Sequence, residues 1–169
     1  AFLDKHIESG ADITIATTPV TREDASGFGI MKINKEQQIT AFMEKPAKDM
    51  NIDDWKIPAD ERGDIPEGKD YLASMGIYIF NANTMEEALD NDYTDFGKEI
   101  IPTAIKTRKV NSYVYTGYWE DIGTIRSFYE ANLDLTRINP KFNFYDEDKP
   151  IYTHTRNLPP SKLNKADMD

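Results

Sequence analysis

Cysteine is absent from the 169 residues, which excludes disulfides, thiol nucleophiles and thiolate metal sites and leaves the redox compartment open. Long apolar runs are absent too, since none approaches the roughly 18 residues needed to cross a bilayer. The opening Ala1-Phe2-Leu3-Asp4-Lys5-His6 lacks a basic start followed by an apolar core. It does not read as a signal peptide, and a cytoplasmic location is the expectation for an untargeted chain. Positive charge is scarce: 20 Lys and Arg stand against 30 Asp and Glu, a net charge of −10. Nucleic acid and anionic membrane are poor partners for such a surface. Any bound phosphate must be met locally by one or two cations, backbone amides or a bridging divalent metal, which points to a small ligand. There is no fixed internal repeat and no low-complexity tract.

What is present suits one compact domain with its own core, at 39% hydrophobic and 30% charged residues. Residues 1–9 bring Phe2, Leu3, His6 and Ile7 close to one helical face, and Gly10 suits the left-handed residue that ends a helix. His6 reads as a partly exposed helix residue rather than a metal ligand, because no second ligand shares its face. Residues 11–20 read as a strand. Residues 30–33 and 38–43 form a hairpin that starts beside Gly27 and Gly29, with Phe28 and Phe42 expected near one another at its far end. Glycine at Gly29 allows positive φ, a bulge or close backbone approach to a ligand. Residues 47–70 read as an irregular surface loop or flap, anchored by Trp55 and Ile57. The near-continuous apolar run 71–80 predicts a central strand buried on both faces. Thr84 with Glu87 predicts a capping box for the next helix, and Asp95 an N-cap for the one after it. Residues 110–116 form a further strand. The helix after Thr124 carries Ile125, Phe128, Asn132 and Leu135 along one side, a pattern that predicts core.

Two stretches carry chemistry. In Phe42-Met43-Glu44-Lys45-Pro46 a proline ends a strand and disfavours the helical conformation at Lys45, so Glu44 and Lys45 are expected extended and with little freedom. An ammonium for a phosphate beside a carboxylate for hydroxyl groups suits a phosphorylated sugar; the same pair also reads as a solvated surface ion pair. In Gly117-Tyr118-Trp119-Glu120-Asp121-Ile122-Gly123-Thr124 two carboxylates precede a helix start, where a divalent cation can be shared with a ligand phosphate, or where Asp121 simply caps a turn.

With these stretches and with Asp95-Phe96-Gly97-Lys98-Glu99-Ile100-Ile101-Pro102, Tyr71-Leu72-Ala73-Ser74-Met75-Gly76-Ile77-Tyr78 and Leu158-Pro159-Pro160-Ser161-Lys162, the chain resembles the ADP-glucose pyrophosphorylases (glucose-1-phosphate adenylyltransferases) along nearly its whole length. The resemblance implies an α/β fold, a mixed and mostly parallel sheet flanked by helices in a Rossmann-like nucleotidyltransferase domain, followed in the family by a left-handed parallel β-helix. It implies that Glu44 holds sugar hydroxyls, that Lys45 meets the phosphate of glucose 1-phosphate, and that Gly29 and Ser74 contact the sugar. Trp119 is placed beside the sugar, and Asp121 as one of two carboxylates holding Mg²⁺. The substrates implied are ATP and α-D-glucose 1-phosphate. The family's glycine-rich nucleotide loop, its base-recognition residues and its other metal aspartate match nothing in this sequence. The expected organisation is therefore a sugar-phosphate-binding half over 1–138 and an extended arm over 139–169 leading towards the β-helix. Such a piece is expected to bind without turnover and to self-associate through exposed strand edges, the parent being a homo-oligomer. The competing readings are another sugar-1-phosphate nucleotidyltransferase using UTP, dTTP or GTP, and a non-catalytic regulatory subunit of the same fold.

Overall fold

Eight consecutive buried residues make Ile13–Val20 (β1) the strand on which the fold is built. A computed structural model describes residues 1–144, 146–148, 150–152 and 154, and its chain divides into two units, Ala1–Asp121 and Ile122–Asp169. In the first, α1 (Phe2–Ser9) ends on Gly10 at φ 57°, the left-handed cap expected there. β1 follows, then the hairpin β2 (Gly29–Ile33) and β3 (Ile39–Glu44), the long strand β4 (Tyr71–Phe80), α2 (Ala82–Leu89), α3 (Ile101–Thr107) and β5 (Val110–Val114). The sheet order is β3-β2-β4-β1-β5. It is mixed and flanked by helices, as the resemblance implies. The parallel share is smaller than implied, because only β1 and β5 run parallel while the other pairings are antiparallel. The hairpin turn curls back to β5: Gln38 bridges Asn111, and Ser112 N–H donates to the Gln37 carbonyl at 2.8 Å.

Strand alternation sorts the core onto two faces. Ile13, Ile15, Met31, Leu72 and Val110 meet Ile101 and Ala104 of α3 on one face. On the other, Val20, Ile30, Tyr71 and Ala73 meet Ala25 and Ile52, with Trp55 packed alongside. The 47–70 segment is thus anchored rather than a free flap, with Ile52 and Ile57 buried. Lys35 also holds Asp60, and Gln37 holds Glu61.

Three local expectations are corrected. His6 is buried, not partly exposed: Thr14 Oγ1 lies 2.7 Å from its Nδ1 and Asn81 Oδ1 lies 3.2 Å from its Nε2, so α1 is tied to β1 and to the residue after β4. Because only Phe2 and His6 of its stripe turn inward, Leu3 and Ile7 stay exposed. Thr84 is no cap; the N-cap of α2 is Asn81, and Thr84 is buried. β4 is central, but only Tyr71, Leu72 and Ala73 are buried, because β2 pairs with it only at Leu72 and Ala73. Beyond them it bulges: between Ile15↔Tyr78 and Thr17↔Ser74 it carries two residues more than β1, with Gly76 at φ 72°. Asp95 does cap as expected, its Oδ1 accepting from the N–H groups of Gly97 and Lys98 at the start of a π-turn, Phe96–Ile100, that leads into α3.

In the second unit, α4 (Ile125–Leu135) is capped by Thr124, whose Oγ1 accepts from Ser127 N–H at 3.0 Å. Its apolar stripe is not core: no residue of α4 is buried, and Ile125 is 91% exposed. The described residues after 138 form turns and bends. The remainder of the expected arm, including Leu158 to Lys162, lies outside the described residues.

Candidate active site

The hairpin's open end, the β4 bulge, the α3 cap and the segment after β5 converge on one open cleft of about 310 Å³. Gly29, Glu44, Lys45, Ser74, Trp119 and Asp121, six residues spread over 93 positions of sequence, all line it. Glu44 ends β3 opposite Gly29 at the start of β2. Its Oε2 lies 2.7 Å from where a Cβ on Gly29 would stand and 3.1 Å from where one on Gly97 would stand. The carboxylate is therefore seated between two bare backbone faces, and the Phe42 ring covers the same glycine, with Cζ 2.4 Å from the Gly29 Cβ position. Gly29 is not at positive φ; what it provides is room for these two side chains.

Lys45 corrects the expectation drawn from Pro46. Its φ is +44°, left-handed rather than extended, a conformation uncommon for a residue with a Cβ. A hydrogen bond of 3.0 Å from its N–H to the Phe28 carbonyl holds it there. Its Nζ lies 3.9 Å from Glu44 Oε1 and its side chain is 64% exposed, so the ammonium is free to turn to a ligand. In the same cleft stands Ser74, half-buried beside the bulge, whose Oγ accepts from Gly76 N–H at 3.2 Å and keeps its own proton to donate. Trp119 packs on Phe28 with ring centroids 5.5 Å apart, which places its indole beside the hairpin's open end. Phe28 therefore partners Trp119, while Phe42 covers Gly29.

Tyr78, Asp95 and Gly97 also line the cleft, and none was singled out as a site residue from sequence. Tyr78 shares the period-two face of Ser74 and Gly76, a legible signal hidden by reading the whole strand as core. For Asp95, read as a helix cap, no local signal places that cap beside a cleft.

In charge the lining is unbalanced. Glu44, Asp95 and Asp121 are carboxylates, and Lys45 is the one basic residue among the described lining. A phosphate entering here meets net repulsion unless a divalent cation joins a carboxylate to it. Among the described residues no group of three or more His, Asp or Glu stands ready to hold a metal alone. Asp121 offers hard oxygen donors of the kind Mg²⁺ takes together with water and substrate phosphates, so the residues present fit part of such a site.

A mixed sheet with an acid, a base and an acidic turn converging at one edge defines a class: the sequence profile of the nucleotidyl transferases matches residues 1–138, and the chain belongs to that family. Nucleotidyl transferases generally work with a divalent metal. The particular likeness is to the glucose-1-phosphate adenylyltransferase small subunit, chloroplastic/amyloplastic, of Triticum aestivum. This chain is 44% identical to it over 176 residues, covering 99% of this chain and 37% of that protein. The chain thus spans a little over a third of that relative's length.

Proposed function

We propose that this chain supplies the sugar-phosphate side of an enzyme that transfers AMP from ATP to α-D-glucose 1-phosphate, giving ADP-glucose and pyrophosphate. The observation that carries the reading is the meeting of Glu44, Lys45 and Asp121 on one cleft with Ser74 and Trp119 around it. Lys45 holds the sugar's phosphate, and its ammonium keeps that phosphate oriented as a nucleophile. Glu44 accepts hydrogen bonds from ring hydroxyls, Ser74 Oγ donates to another, and the Trp119 indole covers the sugar's apolar face. A phosphate oxygen of glucose 1-phosphate forms the new bond to the α-phosphorus of ATP as the bond to the β-phosphate oxygen breaks and pyrophosphate leaves. Bound Mg²⁺ would neutralise charge on the phosphates, with Asp121 among its ligands. In this reading residues 1–138 are the sugar-phosphate half, and the whole enzyme is a cytoplasmic homo-oligomer.

Titration of glucose 1-phosphate into the 169-residue chain with Mg²⁺ is expected to saturate, and Lys45→Ala to lose most of the affinity. Equal binding by the two would overturn the assignment, and turnover of the whole enzyme with UTP but not ATP would overturn the choice of nucleotide.

A further inference from the structure

Lys45 combines a left-handed φ of +44° with a following proline, a conformation that persists only where its surroundings over-determine it. Two restraints are local: the bond from its N–H to the Phe28 carbonyl, and Pro46, which is buried. The third comes from Arg22, which is not part of the cleft lining. Arg22 Nη2 faces the carbonyl oxygens of Ala47, Lys48 and Met50 at 3.2, 2.9 and 2.7 Å. This nitrogen carries two protons for three acceptors, so at least one bond is shared, and the permanent charge of the guanidinium favours all three. The same turn is closed by Met50 N–H donating to the Ala47 carbonyl at 3.0 Å.

We propose that Arg22 is a positioning residue for Lys45. It gathers the carbonyls of the 47–50 turn and, through the φ-locked and buried Pro46, holds the Lys45 backbone left-handed so that its ammonium projects into the cleft. The consequence for binding rests on the sugar-phosphate reading above; the backbone restraint does not.

The test is made on the 169-residue chain by amide hydrogen exchange and carbon chemical shifts, with glucose 1-phosphate titrations alongside. In Arg22→Ala, exchange at the Lys45 amide and across 47–50 is expected to quicken about tenfold or more while β1 amides keep their protection. The Lys45 Cα shift should leave its left-handed value. Affinity for glucose 1-phosphate should fall about tenfold, the scale of one charge-assisted contact, and Arg22→Ala should weaken binding no further in a Lys45→Ala background. Arg22→Lys, with three ammonium donors for the three carbonyls, should restore most of both. If Arg22→Ala does not fold, Arg22→Gln is expected to show the same local pattern. Unchanged exchange and shifts at Lys45, or additive losses in the double variant, would overturn the proposal. A wild-type chain without affinity for glucose 1-phosphate would overturn the sugar-phosphate reading instead, and the exchange data would still decide the role of Arg22.

Discussion

Adding one methyl group at Gly29 strikes the cleft where its two main side chains are seated. An alanine Cβ there would stand 2.4 Å from Phe42 Cζ and 2.7 Å from Glu44 Oε2, against ordinary heavy-atom contacts of about 3.5–4.0 Å. Both groups must retreat by about 1 Å. Both are far ends of side chains, so they rotate without dragging the sheet, and the stability cost sits at the low end of overpacking, about 1 kcal/mol. In a chain of this length that is a fall of about 2–4 °C in Tm. The cost to the site is larger. Glu44 Oε2 is seated between Gly29 and Gly97, and on the proposed sugar-phosphate reading its displacement takes it away from the sugar hydroxyl. Losing one hydrogen bond to a charged group weakens binding at least about tenfold. Thermal melting and calorimetric titration of glucose 1-phosphate read the two quantities separately. Gly27→Ala is the control for packing, because nothing lies within 4 Å of its Cβ position. Gly29→Ala with wild-type affinity, or Gly27→Ala with an equal fall in Tm, would refute the reasoning.

Lys45→Gly should part stability from binding: glycine relieves about 1–2 kcal/mol of left-handed cost against about 0.4–1 kcal/mol of added unfolded-chain entropy, so stability is kept or slightly raised while glucose 1-phosphate affinity is lost, and a melting curve beside a titration checks both. In the whole enzyme, Lys45→Ala is expected to raise the KM for glucose 1-phosphate far more than that for ATP, and steady-state kinetics with equal rises would contradict its role. Asp95→Ala removes the acceptor for two N–H groups at the start of the π-turn and should cost about 1 kcal/mol by denaturant melting. Asp60 is held below the ordinary carboxylate value of 3.8, first by its hydrogen bond to Lys35, and Asp53 likewise by Lys56. A lowered folded value means stability present in full above the unfolded value of 3.8 and lost as pH falls below it through the lower folded value. Lys35→Met should therefore flatten the acid limb of the stability profile, and the difference from wild type should vanish in concentrated salt, because the pair is exposed.

Local rules were enough for the parts of this protein that close on themselves. Gly10 as a helix end, Asp95 as a cap, the hairpin, and Thr124 before the last helix all follow from which backbone groups need partners and which residues can turn the chain. The pairing of an acid with a base before Pro46 and the acidic turn after β5 were legible for the same reason. Their meeting was not. Seventy-six positions separate Lys45 from Asp121, and they share a cleft because the sheet sets β4 between the hairpin and β1 and lets it bulge at Gly76. Tertiary context also reversed local preferences. Pro46 argues for an extended Lys45, yet the Phe28 carbonyl and the Arg22-gathered turn accompany a left-handed one. His6, polar and on a short helix, is buried because Thr14 and Asn81 meet both its ring nitrogens. Periodicity made α4 look like core, yet an apolar stripe is only a capacity for burial, and its realisation depends on what the rest of the fold brings against it. Sequence determined which groups could serve; which of them stand within reach of one ligand was decided by strand order, a bulge and a clamped turn, because those depend on contacts between residues far apart in the chain.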